Sequence, residues 1–192
     1  MASVLPPVAV GGFFGLGIGY LIYGGMGLFF PTKTDELTNK SLAVWGGLWM
    51  PGFMQFLTGI YILVTISIYR ELPSVFYMAG GVAFTAYGVH WFALGWKRYI
   101  GSSNLPDAFM ALGFLVLSVL GAFVFGYVHD YPVMILFIIL VLVYATEAPA
   151  RFLNSPTLSR LVSLWQFIGG WWLMYLTIAA VVDLALGLSL PV

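Results

Sequence analysis

Residues 8–30 read VAVGGFFGLGIGYLIYGGMGLFF, a run with no charged side chain. A helix that crosses a bilayer needs about 20 apolar residues, because the hydrocarbon core is roughly 30 Å thick and the rise is about 1.5 Å per residue. This run meets that length, and five further charge-free runs follow it: Leu42 to Tyr69, Val75 to Trp96, Ala108 to Val128, Val133 to Thr146 and Leu161 to Val182. The sequence therefore predicts an all-α integral membrane protein. Residues 1–192 form a single transmembrane domain, with six transmembrane helices in a compact bundle. The polar connections are Pro31 to Ser41, Lys97 to Asp107 and Glu147 to Arg160, with short turns around Arg70-Glu71 and His129-Asp130. Spans joined by the short turns, the second with the third and the fourth with the fifth, are expected as antiparallel neighbours.

Composition agrees. Hydrophobic residues make up 61% of the chain and charged residues 7%, with a mean hydropathy of +1.01, far from the balance of a water-soluble domain. Seven Lys and Arg offset seven Asp and Glu, so no strong field exists to attract nucleic acid. The absence of cysteine removes disulfides, thiolate nucleophiles and cysteine metal sites. Met1 to Pro7 carries no basic segment, and no small-residue cleavage pattern follows, so the first span is expected to remain in the protein. Lys33, Lys40, Lys97, Arg98, Arg151 and Arg160 fall in the first, third and fifth loops, against Arg70 elsewhere, which places both termini outside by the positive-inside rule.

Within the first span, Gly11, Gly15 and Gly19 recur at four-residue spacing. Such a face suits close helix packing, with room for a permeant as the alternative. Pro51-Gly52 interrupts the second span and is expected to kink it. Trp45, Trp49, Trp96, Tyr127 and Tyr131 lie near span ends, as interfacial aromatic belts do.

No nucleophile with a base, no metal-ligand cluster and no phosphate loop is present, so neither an enzyme nor a bound metal or cofactor is expected. What stands out is a sparse set of polar groups inside the spans: Gln55 and Thr58, then Thr85, Tyr87 and His90, then Gln166 and Tyr175. Polar groups in lipid must find partners or water. Phe84, Tyr87 and Trp91 share a helical face that suits a narrow aromatic pore, and interhelical hydrogen bonding is the competing reading, the favoured one for His90. Among carboxylates, Glu147 sits four residues before Arg151, first of all a local helix-end contact, and Asp183 sits near the end of the last span. Both are candidate proton-linked groups. No Lys or Arg lies inside a span, and moving a bare carboxylate into such an interior costs tens of kcal/mol by idealised estimates, so a permeant should be small and weakly polar.

The third span decides the resemblance. Residues 80–91, GGVAFTAYGVHW, resemble the signature of the acetate uptake transporter family, in which Ala-Phe-Thr/Ser-Ser-Tyr-Gly is followed two residues later by Trp; Ala83, Phe84, Thr85, Tyr87, Gly88 and Trp91 fall in place. Gly52, Gln55 and Gly59 are similar to that family's Gly-x-x-Gln-x-x-x-Gly pattern, and Glu147 and the closing Leu190-Pro191-Val192 are also alike. The resemblance implies a homo-hexamer in the cell (plasma) membrane, one pore per protomer, and acetate or other short monocarboxylates as substrates, with protons accompanying them. It implies a hydrophobic constriction at Phe13, Tyr87 and Leu140 and cytoplasmic termini in place of the external ones that the loop charges favour; Gln55, Thr85, His90 and Tyr175, as polar groups inside the spans, are the expected polar lining. Urea and short-amide channels, similar around Thr32-Lys33 and Gly95-Trp96-Lys97 and with external termini, remain the alternative, as does a non-transporting membrane subunit that binds a partner.

Overall fold

Each charge-free run of the sequence becomes a helix, and most helices overshoot their runs. The computed structural model describes residues 7–32, 35–69, 75–188 and 190, with the side chains of all of these except Tyr69 and Val75. Lys33 and Arg70 from the loop-charge count, and Pro191-Val192 from the family comparison, lie outside the described residues. The helices are α1 (Ala9–Phe29), α2 (Glu36–Ser41), α3 (Met54–Val64), α4 (Val75–Ile100), α5 (Leu105–Tyr127), α6 (Tyr131–Phe152) and α7 (Pro156–Leu186). Wide π-type turns join α2 to α3 over Leu42–Phe53 and continue past α3 over Thr65–Tyr69. Glu36–Ile68 is thus one column, and the described residues form six columns with no strand.

A charge-free run marks the hydrocarbon thickness, whereas capping chemistry marks the helix end. Thus α6 runs on from Thr146 through Glu147 to Phe152, and α7 begins at Pro156, ahead of Leu161. Asp130 accepts the Val133 amide at 3.1 Å to cap α6, and Ser155 accepts the Leu158 amide at 3.4 Å to cap α7. Pro132 and Pro156 follow these caps in the first turn, where a missing N–H costs nothing. Gly187, at φ 65°, closes α7 in the left-handed conformation. The kink expected at Pro51 takes the form of the π-type stretch: proline has no N–H to give and its ring crowds the preceding turn, so the helix widens there.

Five columns are long and apolar enough to cross a membrane: α1, Glu36–Ile68, α5, α6 and α7. The sixth, α4, has 26 residues, about 39 Å at 1.5 Å per residue, but glycines, Thr85, Tyr87, His90 and Trp91 dilute its apolarity. The expectation of six spans thus meets five apolar columns and one, α4, that Thr85, Tyr87 and His90 make more polar.

Around the ring, α1 packs on α7 and on the second column, the second column on α4, α5 on α6, and α6 on α7, while α4 meets α5 lightly. Glycine sets these distances. A Cβ at Gly19 would lie 2.6 Å from Pro51 Cγ, and one at Gly24 would lie 2.5 Å from the Phe167 nitrogen on α7. Neighbours fill the glycine face of α1, which favours packing over room for a permeant. The bundle turns its apolar bulk outward: Trp45, Trp49, Trp96, Tyr127, Phe123 and Ile68 are all exposed. Its interior is where the polar side chains collect. Gln55, Thr58, His90, Ser118, Glu147 and Gln166 are buried, an arrangement suited to a lipid surround.

Candidate functional site

Three layers stack along the bundle axis. The first lies toward the start of α1, where Phe13, Leu16, Gln55, Phe84, Tyr87 and Leu140 line a space of about 20 Å³. That is room for about one water. Phe13 and Phe84 hold their rings 5.4 Å apart at a tilt, and Phe13, Tyr87 and Leu140 are all buried. Gln55 is the polar exception: it is 1% exposed, and its side-chain carbonyl oxygen has no hydrogen-bond partner among the described residues. A buried acceptor left unpaired costs about 1–3 kcal/mol, so this position favours a donor, whether water or ligand.

The second layer is an aromatic plug. Tyr87 stacks on Tyr144 at 6.0 Å and 15°, and Tyr144 stacks on Phe114 at 5.5 Å. His90 lies 4.3 Å from Phe114 and 5.5 Å from Tyr144. Trp91 is held edge-on between Tyr20 at 5.7 Å and Tyr23 at 5.2 Å. The Tyr87 hydroxyl shares a buried 2.8 Å hydrogen bond with Ser118 on α5, which fixes the ring across the weakly packed α4–α5 seam. The Tyr20 hydroxyl, the Trp91 indole N–H and His90 Nδ1 are buried without a hydrogen-bond partner among the described residues.

The third layer is a cleft of about 340 Å³ at the opposite end, among Asn39, Lys97, Arg98, Asp107, Glu147, Arg151 and Gln166, with Tyr23 as its inner wall. An adjoining cleft of about 200 Å³ shares Tyr23, Arg98, Arg151 and Gln166 with it. Here charges sit in pairs: Lys97 with Asp107, and Arg151 with Glu147 at 3.0 Å.

The sequence-derived candidates divide by location. Phe13, Tyr87, Leu140 and Gln55 converge on the narrow space. Thr85 instead donates to the Gly81 carbonyl at 2.8 Å and packs against Gly59 on the α3–α4 contact, away from the narrow space. His90 belongs to the plug, and the interhelical hydrogen bond expected for it has no counterpart at Nδ1. Tyr175 is 36% exposed on the outer face of α7, its ring 5.2 Å from Trp172. Glu147 is buried and walls the wide cleft, with Arg151 as the expected i,i+4 partner. Asp183 accepts the Leu190 amide at 2.9 Å, a contact that ties down the end of α7. Groups of His, Asp and Glu able to hold a metal are absent among the described residues.

Sequence reading missed Ser118, Tyr20 and Tyr144. Ser118 carried the clearest signal, as a lone hydroxyl in the otherwise apolar stretch from Leu112 to Tyr127 that must be satisfied inside lipid. Tyr20 and Tyr144 carried none, since an aromatic ring facing lipid and one facing the axis look the same in sequence.

No family model matches the chain, and no curated protein matches it. Among solved structures, that of the bacterial acetate channel SatP superposes with a TM-score of 0.71, covering 97% of this chain and 98% of that chain at 19% sequence identity. The two proteins share a fold over nearly their whole lengths. Over its described residues the protein is a helical membrane bundle that shares the fold of that channel.

Proposed function

We propose that this protein conducts acetate and other short monocarboxylates through a pathway in each subunit, with all six columns crossing the membrane, α4 included. The observation that carries the reading is the convergence of Phe13, Tyr87, Leu140 and the unpartnered Gln55 oxygen on one narrow space in a bundle with this fold. The space fits about one water, so passage requires side chains to yield and favours the smallest acids.

Charge arithmetic favours the neutral acid at this step. A carboxylate stripped of water would meet a lining with no cation, at a cost of tens of kcal/mol by idealised estimates, whereas the neutral acid brings one O–H donor that the Gln55 oxygen accepts. The proton therefore travels with the substrate, and no relay through His90, Glu147 or Asp183 is needed. Uptake should rise as external pH falls toward the carboxylic pKa of about 4, and acid stimulation should persist in His90→Gln.

The same unpaired oxygen would accept from a primary amide, which gives the urea and short-amide reading its support. Uptake of labelled acetate, and separately of urea and acetamide, into vesicles holding the purified protein decides between them, each compared with protein-free vesicles. Acetate uptake above that background, competed by propionate, supports the monocarboxylate reading; urea or acetamide uptake without acetate replaces it, and none of the three points to a subunit that serves a partner. The hexamer implied by the family resemblance is part of the proposal, and the native mass of the detergent-extracted protein tests it. Placement in the plasma membrane belongs to the same reading.

A further inference from the structure

Three cations share the wide cleft, and two of them are neutralised. Lys97 pairs with Asp107 and also donates to Asn104 at 2.6 Å, while Arg151 pairs with Glu147. Arg98 meets no carboxylate among the described residues. Its Nε and Nη2 donate to the Asn39 side-chain oxygen at 3.3 and 3.1 Å, and its guanidinium carbon lies 5.2 Å from the centre of the Tyr23 ring. Three cations against two carboxylates leave one net positive charge in a concave wall of helix ends, where field lines are focused. A second feature points the same way. The Tyr23 hydroxyl, which lines the same cleft, is buried with no acceptor for its proton among the described residues.

We propose that Arg98 and Tyr23 form a capture site for a small carboxylate anion at this mouth of the pathway. The identity of the ligand rests on the monocarboxylate reading. A guanidinium fork matches a carboxylate in shape and charge, and Asn39 holds the Nε and Nη2 edge, so Nη1 remains for a ligand. The Tyr23 hydroxyl supplies a neutral donor on the inward side, next to Trp91 and the plug. The site therefore binds the ionised acid while still hydrated on one face; the anion then takes a proton from solvent in the open cleft and enters the apolar middle as the neutral acid. The paired cations Lys97 and Arg151 add field but have their own acceptors, so the discriminating contact belongs to Arg98.

Binding of carbon-labelled acetate to the purified protein in a neutral detergent, followed by line broadening in NMR, tests this without requiring transport. The parent should bind acetate with an affinity that falls as salt is raised. Arg98→Gln, which keeps a donor for Asn39, should bind at least about tenfold more weakly and lose the salt dependence, while Arg98→Lys retains part of both. Tyr23→Phe should weaken binding by a few-fold, and it serves as the second variant if Arg98→Gln does not yield a monodisperse protein. Unchanged binding in Arg98→Gln, or in Tyr23→Phe where that variant stands in, overturns the proposal, as does a parent that binds no acetate. Displacement by short-chain phosphatidylglycerol but not by propionate assigns the site to a lipid headgroup and overturns it too. Vesicle uptake run in parallel separates the two readings: Arg98-dependent binding without uptake removes the transport reading alone, and uptake with Arg98-independent binding removes the capture site alone.

Discussion

The space around Phe13, Tyr87 and Leu140 holds about 20 Å³ and offers a single unpartnered carbonyl oxygen, whereas the cleft among Lys97, Arg98 and Arg151 holds about 340 Å³ and is walled by charges. Sixteen ångströms or so of helix separate Tyr87 from Arg98, eleven residues at about 1.5 Å each. Over that distance the lining changes from mostly apolar and neutral to polar and cationic. The contrast teaches how one small bundle can treat one solute in two ways. A focused positive field raises the local concentration of an anion, a long-range effect that tolerates water. Selection by size is short-range and needs the water gone, because a loosely packed site yields little discrimination per methylene. Each task would spoil the other in one place.

Breaking the narrow end should have the largest effect. Tyr87→Ala removes a ring stacked on Tyr144 and bonded to Ser118, at a stability cost of about 3–5 kcal/mol for a large aromatic truncated in a core. In the protein that survives, uptake of butyrate relative to acetate should rise by about tenfold, as expected for one or two methylenes newly admitted. A competition series of straight-chain acids reads this directly, and an unchanged series would move selectivity elsewhere.

Next in size is Gln55→Leu. It deletes the acceptor and keeps the volume, so uptake of acetate should fall about fivefold, the worth of one hydrogen bond of about 1 kcal/mol, while the bundle holds its mass and thermal midpoint. Altering the wide end should act on concentration dependence alone. Glu147→Gln removes the carboxylate opposite Arg151 and makes the cleft more positive, so the KM for acetate should fall two- to threefold, by about 0.5 kcal/mol, with a steeper response to salt. A change in the relative uptake of longer acids in this variant would mean that the two ends are not separate.

The smallest effect on transport tests the seam between α4 and α5. Ser118→Ala leaves the Tyr87 hydroxyl without its buried partner; the thermal midpoint should drop by the equivalent of about 1–3 kcal/mol, with the order of preference among acids retained. Loss of that order would show that the Ser118 bond, and not the ring alone, sets the gate.

Much of the bundle was legible in the sequence, because a bilayer imposes a length and excludes charge, and both leave marks in the chain. The helix ends were less so. The charge-free run stops at Thr146, yet the Glu147–Arg151 pair, whose i,i+4 spacing marks a helix-end contact, carries α6 on to Phe152. Of the candidate site, Phe13, Tyr87 and Leu140 rest on the family resemblance and Gln55 on its polarity inside a span, and the four line one narrow space. Tyr175 reads as polar lining because of its polarity within an apolar span, but it is 36% exposed, where a tyrosine in the membrane interface is tolerated. Thr85 satisfied itself on its own helix, a local option that periodicity does not reveal. Arg98 entered only as a loop charge for orientation. That α4 carries it 23 residues on from Val75 into a shared cleft follows from packing, which the sequence alone does not specify.

The most direct test of the account is acetate uptake by vesicles that hold the parent or Tyr87→Trp, compared with protein-free vesicles at mildly acidic external pH. The parent should exceed the protein-free rate, and the bulkier Trp in a space that fits about one water should return uptake to that rate while the protein keeps its native mass. Equal uptake by parent and Tyr87→Trp, or a parent no faster than bare lipid, would contradict a monocarboxylate pathway through this constriction.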